Sequence, residues 1–220
     1  ESIQQNVTSD YVRKHIFKLG KHKAKPPKWT VKSSPATGNP GVPTLFLSDF
    51  HYGEVVKPDA IGNLNNFNKK ISQSRLKSTV ETAIDLCHNH MVNPKYPGIV
   101  LALGGDMMAG SIHDELIETN DGTNIDHVLE LFDQLVWTIS TLADKFGKVF
   151  IPTCYGNHSR MYQQYRNKEA AHLSFDWMLY NMLERHYKAN KDGRVQFLIS
   201  AGFDTYYKIY NTSYLLTHGD

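Results

Sequence analysis

The sequence predicts an α/β fold built on a parallel sheet, and three observations carry that prediction. Short apolar runs at 44–48, 99–103 and 149–153 read as strands covered on both faces. Between them, 72–92 and 125–146 keep apolar residues at helical spacing, so strand and helix alternate. Each strand run leads into Asp, His or Asn, which gathers polar chemistry at the carboxyl edge of the sheet, where open α/β sheets bind ligands.

At 220 residues and 40% apolar, the chain can bury a core as one domain, or one domain with an appendage. Residues 1–43 form that appendage. A short helix is predicted over 8–19, capped by Thr8 or Ser9, with Val12, Ile16 and Leu19 on one face. Residues 21–43 hold Pro26, Pro27, Pro35, Pro40 and Pro43 with Gly38 and Gly41, the composition of a linker. Eight of the 24 basic residues lie between Tyr11 and Lys32 with no acid among them, leaving 16 against 22 acids elsewhere. A basic arm on a mildly acidic body fits a polyanionic partner, and equally a solvated lead-in.

The domain proper spans 44–220. After strand 44–48 comes a polar loop that runs to Asn68. The helix over 72–92 presents Leu76, Val80, Ala83, Ile84, Cys87 and Met91, with Pro94 beyond its end. Strand 99–103 follows, then a short helix through Glu115 and Ile117. The stripe of Ile125, Val128, Leu129, Phe132, Leu135, Val136, Ile139, Leu142, Ala143 and Phe146 defines the clearest helix, closed by Gly147. In strand 149–153, Pro152 cannot donate to a ladder. A helix over 168–187 buries Ala171, Phe175, Met178, Leu179, Met182 and Leu183. Runs 195–200, 205–209 and 212–217, joined at Gly202 and Asn211, are predicted to be antiparallel strands.

No run of about eighteen apolar residues exists, so no membrane span is expected. The chain opens Glu1-Ser2-Ile3 without a signal peptide or an initiator Met, and is expected to be a fragment or a processed product. Cys87 and Cys154 read as buried free thiols, which favours a reducing, cytoplasmic setting.

The strand ends carry the chemistry. Asp49 and His51, one residue apart, can turn to one side of their loop as a carboxylate–imidazole pair for a metal; an isolated pair is also what a capping Asp and a loop His give. Asp106 follows Gly104-Gly105, and a carboxylate with so little bulk around it can bridge two cations about 3.5–4 Å apart, or cap a turn. Asn157 offers an amide oxygen as a metal ligand, and His158 beside it reads as a proton donor for a leaving oxygen, or as a satisfied surface histidine. His218 closes the last strand as a further imidazole ligand, or as a turn residue before Gly219. His113 and Arg160 could touch a substrate phosphate, Arg160 in bidentate fashion. His88, His90, His172 and His186 lie on helices and belong to surface or packing.

In order, Asp49-x-His51, Gly105-Asp106, Gly156-Asn157-His158 and Thr217-His218-Gly219 resemble the first four motifs of the calcineurin-like metallophosphoesterases, over nearly all of 44–220. The resemblance implies a two-layered β-sandwich flanked by helices in α/β/β/α order, around a dinuclear centre. It implies that Asp49 and His51 hold the first metal, that Asp106 bridges, that Asn157 and His218 hold the second, and that His158 assists the leaving group. Two features depart from the pattern. Ser159 stands where the family usually has an acid, and the fifth motif, Gly-His-x-His, is absent from the 220 residues. The domain is therefore expected to be truncated at its C-terminus, with weakened metal binding and poor catalysis.

The expected activity is metal-dependent hydrolysis of a phosphate ester with two divalent cations, manganese foremost and zinc, iron or nickel also fitting the mixed donors. The basic arm directs the expectation to a phosphodiesterase or nuclease acting on DNA or RNA. A phosphomonoesterase or protein phosphatase is the enzymatic alternative, and a nucleic-acid-binding or scaffold module with an inactive site the non-enzymatic one.

Overall fold

The computed structural model describes residues 27–31, 41–92, 94–165 and 168–219, so the helix expected over 8–19 lies outside the described residues. Four strands, β1 (Thr44–Leu47), β2 (Ile99–Leu103), β3 (Val149–Thr153) and β4 (Val195–Ile199), form a parallel sheet in the order β1-β2-β3-β4. Leu47 pairs with Leu103, Leu103 with Thr153 and Thr153 with Ile199, so all four strands end level on one edge. The ladder between β2 and β3 has partners at Val149, Phe150 and Thr153 but not at Pro152, whose nitrogen cannot donate.

Between the strands run helices α1 (Lys69–Asp85), α2 (Asp114–Thr119), α3 (Asn124–Phe146) and α4 (Phe175–Ala189). Sequential strand order with right-handed crossovers puts the long helices on one face. The core agrees: Ile99, Leu101, Leu103, Val149 and Ile151 pack with Leu76 and Val80 of α1, Leu131 and Leu135 of α3, and Leu179 and Leu183 of α4. The alternate residues Val100, Ala102 and Phe150 face the other way, onto Tyr207, Ile209 and Leu216. Those come from a second sheet, the antiparallel pair β5 (Thr205–Ile209) and β6 (Thr212–Leu216). Thr205 Oγ1 donates to the Thr153 carbonyl and ties this second layer to the end of β3. A helical turn at Lys28–Val31 docks there too, with Tyr210 N–H donating to the Thr30 carbonyl and Trp29 packed on the same cluster. The molecule is thus mixed α/β, with helices against one face of the parallel sheet and a two-stranded sheet against the other.

Three expectations are corrected. The run at 195–200 is not antiparallel: β4 pairs parallel with β3, because α4 carries the chain back before β4 begins, and only β5 and β6 form a hairpin. The helix expected from 168 begins at Phe175, after a 3-10 turn at Ala171–Leu173, where Ser174 Oγ accepts the Trp177 N–H. On α3 the buried face is narrower than the stripe; Ile125 and Leu129 are exposed, and Leu131 is buried instead.

Helix α3 begins at a complete capping box, with Thr123 Oγ1 accepting the Asp126 N–H and Asp126 returning the bond to the Thr123 N–H. The helix of 72–92 starts at Lys69, capped by Asn68, and ends in a π-turn at Leu86–His90, where His88 packs on Phe146. Both cysteines are free, Cys154 buried and Cys87 partly so. Among the described residues no helix is long and apolar enough to cross a membrane.

Candidate metal centre

The hydrogen-bond ladder does not stop where the strands do. Beyond β1 and β2, Gly104 N–H donates to Leu47 O, Asp49 N–H to Gly105 O, His51 N–H to Asp106 O and Tyr52 N–H to Met107 O. The two loops are zipped together, so Asp49 and His51 are held in register with Asp106 by main chain alone. Tyr52 anchors the strip: its ring is fully buried, and its hydroxyl donates to Glu130, which Lys69 pairs at 2.9 Å. Burial, ahead of the Glu130 carboxylate, pushes the Tyr52 hydroxyl up to about 12, so it stays a proton donor.

This zipper bends the chain at a cost. Asp49, His51 and Asp106 have φ of 52°, 44° and 50°, three of the seven left-handed non-glycine residues among those described. Such a conformation costs on the order of 1 kcal/mol per residue and persists where its surroundings enforce it, often at functional sites. Here all three strained residues bear metal-ligand side chains. One ligand atom from each lies within 4.8 Å of the other two.

Asp106 sits at the middle, nearly fully buried. Its Oδ1 accepts the His158 N–H at 2.7 Å, and its Oδ2 meets His218 Nε2 at 3.1 Å. His218 Nδ1 faces the Gly104 carbonyl at 2.8 Å, an acceptor that fixes a proton on Nδ1. Nε2 and the carboxylate therefore need a positive charge between them, either a proton or a cation. Asp49, His51 and Asp106, with the His218 imidazole against the shared carboxylate, offer the mixed oxygen and nitrogen donors that suit a divalent first-row cation.

The loop after β3 supplies the other face. Gly156 is required there: a Cβ would stand 2.1 Å from Asp106 Oδ1 and 2.6 Å from Asp106 N. Asn157 shares the wall of a pocket with His218. His158 turns its Nδ1 to the Ala109 carbonyl at 3.0 Å, with His51 edge-on at 4.6 Å between ring centres and His113 at 5.6 Å. Arg160 donates from Nε to the Tyr162 carbonyl and from Nη2 to the Gln163 carbonyl, so part of its fork is spent on its own loop. Asp49, His51, Asp106, His158, His113 and His218 are thus brought together, Asn157 and Arg160 line the adjoining pocket, and His88, His90, His172 and His186 pack instead against Phe146, Asp85, Trp177 and Phe132 respectively.

Ser159, in place of an acid, is buried and bonds Gly156 O and Ser174 Oγ, which braces the loop rather than His158. The bond orienting His158 is to a main-chain carbonyl. An acid that sequence reasoning missed lies beneath the site. Asp176 is fully buried in the first turn of α4 and accepts the N–H of Met107 at 3.3 Å and of Gly156 at 3.2 Å. One carboxylate thus joins the two loops that carry Asp106 and Asn157. Burial pushes its carboxyl up to about 6, with nearby Asp106 adding to the rise. The only local signal was an acid in a helix first turn, which reads as a dipole partner. No family model matches the chain, and no curated protein or solved structure matches it at a significant level.

Proposed function

We propose that this protein is a metallophosphoesterase: a hydrolase that cleaves phosphate esters at a dinuclear centre, acting as a phosphodiesterase or nuclease on nucleic acid. What supports the reading is one observation: the buried Asp106 carboxylate is grouped with Asp49 and His51 within 4.8 Å and also meets His218 Nε2 at 3.1 Å. Asp49, His51 and Asp106 would hold one cation, and Asp106, Asn157 and His218 the other. Manganese is the proposed metal for both, though mixed oxygen and nitrogen donors also suit zinc, iron or nickel. Such ions, when bound, supply Lewis acidity that activates water and neutralises phosphoryl oxygens.

The chain's own residues do the rest. His158, its Nδ1 held by the Ala109 carbonyl, presents Nε2 as the atom that hands a proton to the departing oxygen. Its backbone N–H fixes one Asp106 oxygen, so the acid and the shared carboxylate are positioned by the same residue. Asp176 keeps the loops from separating. The basic arm between Tyr11 and Lys32 supports a polyanionic substrate over a small phosphomonoester.

The test is turnover of a generic aryl phosphodiester by the full-length protein with manganese. Asp106→Asn should abolish metal-dependent turnover; a variant that keeps it refutes the reading.

A further inference from the structure

Next to the candidate centre lies a pocket whose walls do not belong to the hydrolytic machinery. It shares Asn157 and His218 with the centre and extends away from them over Tyr155, Tyr162, Tyr165 and Phe203. Tyr162, Tyr165 and Phe203 are each 39% exposed or more, unusual for large rings concentrated at one place. Tyr165 and Phe203 lie nearly parallel, 19° apart with centroids at 6.4 Å, and Tyr155 tilts against Phe203 at 5.7 Å. The Tyr155 hydroxyl is buried in the same wall with no hydrogen-bond partner among the described residues. An exposed aromatic platform with an orphaned polar group, opening on a phosphate-ester centre, matches a ligand with a flat apolar face and a polar edge.

We propose that this pocket is a nucleobase subsite, in which a base stacks on Phe203 and Tyr165 while its phosphate lies at Asp106. Stacking on aromatic faces is tolerant of sequence, because every base offers a π-face. The enzyme would accordingly grip one nucleotide of a single strand or an unpaired end, with the base on the Phe203 and Tyr165 faces. The proposal rests on the phosphoesterase reading and deepens it by naming where the base of one nucleotide is held.

The experiment is calorimetric titration of the manganese-loaded full-length protein with deoxyadenosine monophosphate, deoxyribose 5-phosphate, phenyl phosphate and inorganic phosphate. Deoxyadenosine monophosphate is expected to bind roughly 5- to 150-fold more tightly than deoxyribose 5-phosphate, the range that one base–aromatic stack provides. Phe203→Ala and Tyr165→Ala, at exposed positions that leave the fold intact, should remove most of that advantage without changing inorganic phosphate binding. Phe203→Tyr should keep it. Equal affinity for the nucleotide and the sugar phosphate overturns the proposal, as does phenyl phosphate binding as tightly as the nucleotide, which would make this an aryl pocket. Asp106→Asn separates the two readings. If it leaves inorganic phosphate binding unchanged, the metal-centre reading fails; if it abolishes that binding while the base adds nothing in the wild type, only the subsite fails.

Discussion

Replacing Gly156 by alanine adds one methyl group at the point where the loops after β2 and β3 meet. The φ of Gly156 lies outside the left-handed region, so the effect comes from contact alone. The new Cβ would stand 2.1 Å from Asp106 Oδ1, where ordinary van der Waals contact begins near 3.4 Å, and 2.6 Å from Asp106 N. A side-chain tip could swing away, but the Asp106 nitrogen lies between the Gly105 and Asp106 carbonyls, which accept the zipper bonds from Asp49 and His51. Relief therefore requires moving main chain, and overpacking of this kind costs about 1–3 kcal/mol. Urea unfolding should show a lower midpoint with an unchanged slope, and the displaced carboxylate should weaken manganese binding in the same variant. Gly193→Ala is the contrast: nothing lies within 4 Å of its Cβ, so stability should be unchanged or rise by up to about 1 kcal/mol. If Gly156→Ala matches the wild type in midpoint and metal affinity, the close approach of the two loops is not what positions Asp106.

Two further predictions concern the scaffold. The folded Asp176 carboxyl, near 6 against an unfolded value of about 3.9, holds a proton between pH 4 and 6 that the unfolded chain has lost. Stability of the metal-free protein should therefore fall as pH rises through that window, by on the order of 3 kcal/mol at most, and Asp176→Asn should flatten the slope; an unchanged slope in the variant would contradict this. Leu135 is fully buried between α3 and the sheet, so Leu135→Ala should lower stability by about 2–5 kcal/mol, measured by denaturant unfolding; a loss under about 1 kcal/mol would show that the site collapses or is not core.

The parallel strands and α3 were legible because buried strands and amphipathic helices leave periodic traces in apolar residues. The direction of β4 was not, since its run differs little from those of β5 and β6 and only the return of α4 sets it parallel. The start of α4 was hidden because 168–173 is compatible with helix, and the Ser174 hydroxyl decides the boundary. For the site, ligand types at strand ends were visible, whereas the strain at Asp49, His51 and Asp106 was not. It arises from pairing between loops more than fifty residues apart, and only Gly104 and Gly105 hinted at close approach. Asp176 was invisible for the same reason: its partner at Met107 is 69 residues away.

Manganese titration of the full-length protein by calorimetry, alongside Asp49→Ala, His218→Ala and Asp106→Asn, tests the central claim most directly. With Asp106 as the shared ligand, the wild type should bind two ions, Asp49→Ala and His218→Ala should each weaken a different one, and Asp106→Asn should weaken both. Two ions bound with unchanged affinity by Asp106→Asn would contradict the account.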